Sequence, residues 1–147
     1  MLPTSKAVLY ADDSSDDRFF MAAACKEARI ENRLALVEDG AQIFDYLSGV
    51  GKYADRTQNP PPGLIILDIK MPKMTGLEAL QRIRQSKEWR NVPVLMLSAS
   101  AFPADIADAY RLGASAYLLK PSSIPELFEM VASIKAFWLR FNEFPPE

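Results

Sequence analysis

Four short apolar runs in this chain each hand over to a polar residue able to do chemistry. Val8-Leu9-Tyr10-Ala11 leads to Asp12-Asp13, Leu64-Ile65-Ile66-Leu67 to Asp68, Val94-Leu95-Met96-Leu97 to Ser98, and Tyr117-Leu118-Leu119 to Lys120. Near-continuous aliphatic runs without polar alternation are the pattern of strands covered on both faces, as in a parallel sheet held between helices. The carboxyl ends of such strands share one edge, where open α/β sheets place their ligands. The four polar endings are therefore expected to meet in one crevice.

The rest of the chain fits that frame. A first strand over Ala7 to Ala11 runs through Asp12-Asp13-Ser14-Ser15 into a helix starting near Asp16, with Phe20, Ala23 and Ala24 expected on its apolar face. Ser14 or Ser15 serves as N-cap, and Asp16 and Asp17 suit the positive end of the helix dipole. A strand over Leu34 to Val37 precedes a short helix from Ala41 to Leu47, and Ser48 to Gly63, closed by Pro60-Pro61-Pro62, reads as a long surface loop. After Asp68, Met71-Pro72-Lys73-Met74-Thr75-Gly76 forms a turn before a helix with Leu77, Leu80 and Ile83 inward. Pro103 opens a helix that stops near Gly113, and Ser123-Ile124-Pro125-Glu126 is a capping box for a last helix carrying Leu127, Val131, Ile134 and Trp138. This (βα)5 order, with right-handed crossovers, predicts a doubly wound three-layer α/β sandwich. One domain over 1–147 is expected, with its core over about 6–140 and a C-terminal tail over 141–147.

Composition removes several classes. At 147 residues and 49% hydrophobic content the chain can bury a core, and its net charge of -2 lacks the basic excess of a nucleic-acid binder. The single cysteine, Cys25, lies in an apolar stretch and reads as a small core hydrophobe. No apolar run is long enough to span a membrane and no leader pattern opens the chain, so a cytoplasmic protein without membrane or DNA contacts is expected.

The crevice would gather Asp12, Asp13 and Asp68, and like charges 4 Å apart repel by about 4 kcal/mol at an effective dielectric near 20. Either one carboxylate takes up a proton, or the cluster binds a hard divalent cation, for which all-oxygen ligation suits Mg²⁺. With Lys120 alongside, three carboxylates balance a dication plus one ammonium. Asp68, ending a central strand, is placed as a nucleophile that could take a phosphoryl group as an aspartyl phosphate. The cation, the Lys120 ammonium and the Ser98 hydroxyl would then each hold one phosphoryl oxygen.

With these residues in view, the chain resembles the receiver domains of two-component response regulators, typified by the chemotaxis protein CheY. The matching segments are Val8 to Asp13, Leu64 to Pro72 with Thr75-Gly76, Pro93 to Ser98, and Tyr117 to Pro121. The resemblance implies a flavodoxin-like sheet in the order 2-1-3-4-5 and phosphorylation of Asp68 from a phosphohistidine on a sensor histidine kinase. By the same resemblance, Asp13, Asp68 and the Lys70 backbone carbonyl would ligate Mg²⁺, or Mn²⁺ in its place, with Asp12 acting through water. Ser98 would be the switch hydroxyl, Lys120 the ion-pair partner of the phosphoryl group, and Tyr117 the switch aromatic. It further implies a cis peptide before Pro121. A finer likeness, carried by the Pro-rich loop, Met71 to Gly76 and the ending Phe137-Trp138-Leu139 with Phe144-Pro145, is to phytochrome-associated single-domain regulators. It points to a phytochrome-type kinase and, with Phe137, Phe141 and Phe144, to a homodimer or partner surface. Lys70 stands where that branch often has Asn, which leaves the phosphate lifetime open.

The chain has no histidine, so it receives rather than donates the phosphoryl group. One helix after the fifth strand leaves no length for an output domain, so signalling to a downstream protein by altered contacts is expected. Three other readings remain. A phosphorylation-independent interaction module would keep the same fold. A metal-dependent phosphatase working through an aspartyl phosphate resembles a pattern with a second acid two residues after the nucleophile, where this chain has Lys70. An FMN binder needs a phosphate cradle after the first strand, where Asp12-Asp13 and Asp16-Asp17 would repel the ligand.

Overall fold

The computed structural model of the chain describes residues 1–146. Five strands, β1 (Ala7–Ala11), β2 (Leu34–Val37), β3 (Pro62–Leu67), β4 (Val94–Ser98) and β5 (Ala116–Leu119), form one sheet in the order β2-β1-β3-β4-β5. All pairings are parallel, with Leu9 opposite Ala35 on one side and Ile65 on the other, and Met96 opposite Tyr117. The helices are α1 (Ser15–Glu27), α2 (Gly40–Ser48), α3 (Gly76–Gln85), α4 (Pro103–Arg111) and α5 (Ile124–Ile134).

The two-residue period of the strands divides the core into two layers. Leu9, Ile65, Leu67 and Met96 pack with Ile43 and Leu47 of α2, Leu80 and Ile83 of α3 and Ala109 of α4. On the opposite face Val8, Tyr10, Leu64, Ile66, Leu95 and Leu97 pack with Met21, Ala24 and Cys25 of α1 and Val131 and Ile134 of α5. Both faces are therefore apolar, which is why the strands carry no polar alternation. Cys25 is a buried member of this second layer, and burial pushes its thiol up to about 11.

Local chemistry sets the helix starts. Ser14, Asp39, Thr75 and Ser123 are N-caps whose side chains accept from the backbone N–H three residues on, and Ser14 rather than Ser15 takes this role in α1. The inward face of α1 is Met21, Ala24 and Cys25; Phe20 and Ala23, expected there, are half-buried at its margins, as is Leu77 in α3. Met21, Ala24 and Cys25, spaced three and four apart, form the stripe of α1 that packs on this layer.

The long loop between α2 and β3 is shorter and more organised than its composition implies. It holds a 3-10 turn at Gly51–Tyr53. Arg56 staples it to α2, donating to the carbonyls of Tyr46 at 2.8 Å and Leu47 at 2.7 Å, which satisfies the helix C-terminus. Strand β3 starts at Pro62 and so takes in the end of the loop. The last helix continues past Ile134 as wider π-helical turns over Lys135–Phe141. There Leu2 N–H donates to the Leu139 carbonyl at 2.8 Å, and Phe144 packs on the second core layer. Phe144 thus covers the domain's own edge, while Phe137 and Phe141 stay exposed. The Lys120–Pro121 peptide is trans, as is every peptide among the described residues, in contrast to the cis bond implied by resemblance. Trans is the lower-energy form of an X-Pro bond.

Gly76 connects fold to crevice. Its N–H donates to the Ile69 carbonyl at 2.7 Å, and a Cβ there would lie 2.0 Å from the Asp68 carbonyl oxygen and 2.9 Å from the Ile69 Cα. Only backbone stands in the way, so no side chain can swing aside. Gly76→Ala is expected to cost at least about 1–3 kcal/mol, the scale of overpacking, read as a lowered urea midpoint; a midpoint equal to that of wild type would contradict this close approach.

Candidate functional site

The sheet pins the crevice residues by extending its hydrogen bonding one residue past each strand. Asp12 N–H donates to the Val37 carbonyl at 3.1 Å, Asp68 N–H to Ala11 at 3.0 Å, and Lys120 N–H to Ser98 at 2.8 Å. Each functional side chain therefore starts from a backbone as rigid as the strand beneath it. The loops only have to clear the space above.

Lys120 is the centre of the cluster. Its ammonium donates to Asp12 Oδ2 at 2.8 Å, Asp17 Oδ2 at 2.8 Å and Asp68 Oδ2 at 2.9 Å. Burial alone would lower its pKa, but these three hydrogen bonds outweigh that and hold it above the usual lysine range, so it stays charged at neutral pH. Asp12 is fully buried and also accepts from the Tyr10 hydroxyl at 2.6 Å and the Ser14 N–H at 2.9 Å. Arg18 donates to the Asp12 carbonyl at 2.8 Å and ties that loop to Glu38 at 3.2 Å.

Asp68 is buried, and burial pushes its carboxyl above the ordinary range, with the Asp12 charge adding to the effect and the Lys120 hydrogen bond opposing it. Asp13 is exposed at the rim, yet its oxygen lies within 4.8 Å of oxygens of Asp12 and Asp68. Three carboxylates at that spread offer an all-oxygen donor set comparable to the roughly 4.2 Å between opposite ligands of a Mg²⁺ octahedron. With Asp17 added, four carboxylates face one ammonium. A dication would remove most of the remaining charge, so the residues fit one.

The far wall is made from β4 and β5. Ser98 is buried, and its Oγ accepts from the Ser100 N–H at 3.2 Å. Ser100 in turn donates its hydroxyl to Asp105 of α4. The half-buried Tyr117 donates its hydroxyl to the Ser100 carbonyl at 2.8 Å. The Ser98–Ser100 loop is thus joined by hydrogen bonds to both α4 and β5. Lys70, two residues after Asp68, has an exposed side chain.

The structure brings Asp12, Asp13, Asp68 and Lys120 together as the sequence pattern implied, with Ser98 on the adjoining strand. Of the residues that complete the cluster, Tyr10, Ser100 and Asp105 are not expected from the sequence pattern, and Asp17 is expected only as acidic charge at the start of α1. One of them carries a signal: Tyr10 shares strand parity with Asp12.

A doubly wound 2-1-3-4-5 sheet with an acid cluster and a lysine at its carboxyl edge defines a class, and residues 8–132 match the response regulator receiver domain. The chain belongs to this family, the receiver module of two-component systems. It is 32% identical over 140 residues to the response regulator Rcp1 of Synechocystis sp., covering 95% of this chain and 93% of that protein. Its structure is similar to that of Rcp1 in a Mn²⁺-bound form, with a TM-score of 0.84 over 96% of this chain and 99% of the other. It is likewise similar to the phosphorylated cyanobacterial phytochrome response regulator RcpA, at 30% identity and TM-score 0.86 over 96% and 99% of the two chains. A response regulator in red light signaling of R. palustris matches at 33% identity and TM-score 0.88 over 97% and 99%.

The raised pKa of Asp68 carries a sign. A carboxyl whose folded pKa exceeds its unfolded value favours the folded state most below the unfolded pKa, and that contribution is lost as pH rises through the folded value. Asp68→Asn removes the charge that burial disfavours. It is expected to raise the urea midpoint at neutral pH, with the gain shrinking as the medium is acidified and the wild-type carboxyl protonates. A gain that grows on acidification would contradict the assignment.

Proposed function

We propose that this chain is a phosphoacceptor: Asp68 takes a phosphoryl group from a phosphohistidine of a sensor histidine kinase, and the modified domain signals through changed protein contacts. The observation that carries this reading is the Lys120 ammonium 2.9 Å from a buried Asp68 carboxylate that a rigid central strand aims into an acid-lined crevice. In the transfer a carboxylate oxygen of Asp68 attacks phosphorus, the phosphorus–nitrogen bond breaks, and its electron pair leaves with the imidazole. Lys120 stays within reach of the new phosphoryl oxygens and neutralises one of them. Asp13, Asp68, the Lys70 carbonyl and, through water, Asp12 would hold Mg²⁺ or Mn²⁺, which supplies charge neutralisation for the phosphoryl group.

The phosphoryl group adds about -1.5 to -2 charges at pH 7, and the buried Ser98 hydroxyl at the end of β4 would donate to it. A shift of Ser98 pulls on the Ser100 loop, which Tyr117 and Asp105 hold by hydrogen bonds. That loop transmits the change to α4 and β5 as a population shift. Likeness to phytochrome regulators supports a phytochrome-type kinase as donor. The exposed rings of Phe137 and Phe141 are the surface assigned to a second copy of the chain or a downstream partner. No helix among the described residues is long and apolar enough to cross a membrane, in keeping with a cytoplasmic signalling role.

Incubation with acetyl phosphate and Mg²⁺ is expected to add one phosphoryl group that is stable to acid and labile to base, visible by intact mass. Asp68→Ala is expected to abolish it, and Lys120→Ala or removal of the cation to slow it about a hundredfold or more, the scale of one lost electrostatic contact to developing charge. An equal adduct on Asp68→Ala would overturn the assignment.

A further inference from the structure

An ammonium has three N–H donors and no acceptor. In this structure all three donors of Lys120 are engaged, by Asp12, Asp17 and Asp68. A phosphoryl oxygen must therefore displace one of these partners, and the three are unequal.

Asp12 is fully buried and already held by the Tyr10 hydroxyl and the Ser14 N–H. Withdrawing the ammonium would leave part of that buried charge uncompensated, which is costly. Asp68 is the group being modified, and as an acyl phosphate its carbonyl oxygen can still accept from the ammonium. Asp17 differs from both: its side chain is 40% exposed, so water can take the place of Lys120. It also lies outside the set of carboxylates whose oxygens converge, so its release leaves that set intact. A cavity of about 220 Å³ lined by Asp17, Lys120, Phe20, Ile124 and Leu127 opens beside the pair and gives the carboxylate room to turn.

We propose that Asp17 is a positioning residue that saturates Lys120 before phosphoryl transfer and yields its place to the incoming phosphoryl oxygen, a role that rests on the phosphoacceptor reading of Asp68. Asp17 acts as a competitor for one ammonium donor. It keeps Lys120 ordered over Asp68 while lowering the affinity of the crevice for a phosphoryl anion. Nothing else on α1 does this, since Asp16, its exposed neighbour, makes no contact with Lys120 in this structure.

The test compares wild type, Asp17→Asn, Asp17→Ala and, as a control for charge in the same helical turn, Asp16→Asn. Two quantities are read: hydrogen exchange of the Lys120 ammonium by lysine-labelled NMR without any phosphoryl mimic, and affinity for beryllofluoride at fixed Mg²⁺. Both Asp17 variants are expected to speed ammonium exchange several-fold and to tighten beryllofluoride about two- to fivefold, the scale of one partly exposed ion pair. Affinity for Mg²⁺ alone is not expected to rise, because a nearby negative charge has been removed. Asp16→Asn is expected to change neither exchange nor beryllofluoride binding. Unchanged exchange, unchanged or weaker beryllofluoride binding in the Asp17 variants, or an equal effect from Asp16→Asn would overturn the proposal. Absence of beryllofluoride binding in all four proteins alongside an intact exchange contrast would instead overturn the phosphoacceptor reading, and the displacement with it.

Discussion

One ammonium among several carboxylates is the interaction on which this site depends. Lys120 reaches Asp12, Asp17 and Asp68 at once, and without it these three carboxylates would lose the ammonium they share. The arrangement holds because the backbone does not let the acids separate: Asp12, Asp68 and Lys120 each hang from a hydrogen bond that continues the ladder of β1, β3 or β5. Buried ion pairs are weak evidence of stability, since desolvation offsets their attraction. Here the strained electrostatics are better understood as a binding site maintained by the rigidity of the apolar layers on either side.

Those layers also explain how much could be read from the sequence. The runs ending at Ala11, Val37, Leu67, Ser98 and Leu119 became strands because both faces of a parallel sheet must be apolar, so an unbroken aliphatic run has few alternative fates. The residues at or just past the ends of β1, β3, β4 and β5 are legible as a site for the same reason, since topology alone brings those strand ends to one edge. What escaped notice is side-chain reach across elements. Asp17 looked like a complement to the helix dipole, and only its three-dimensional position beside Lys120 reveals a second role. Tyr10 looked like another core residue, although its hydroxyl emerges at the top of the layer to meet Asp12.

Other departures have equally local causes. Composition marked Ser48 to Gly63 as a loop, but Arg56 spans it by capping the carbonyls of α2, a contact between residues nine and ten apart that no periodicity records. The spacing of Leu127, Val131, Ile134 and Trp138 predicts a helix, and the structure has one, with a shift to π-helical turns after Ile134 where Leu2 and Phe144 pack from both ends of the chain. The peptide before Pro121 is trans although resemblance implied cis. Resemblance is strongest where chemistry restricts the residues and weakest for backbone detail.

Under the proposed function, the acids around Lys120 hold a divalent cation beside Asp68. Crystals soaked in Mn²⁺ and measured near the manganese absorption edge address it directly, because anomalous scattering locates the ion without assumptions about ligands. The expected result is a single strong peak in contact with the carboxylates of Asp13 and Asp68, with Lys120 still against Asp68. A map with no peak between those two residues, at Mn²⁺ concentrations that saturate a receiver domain of known metal dependence, would contradict it.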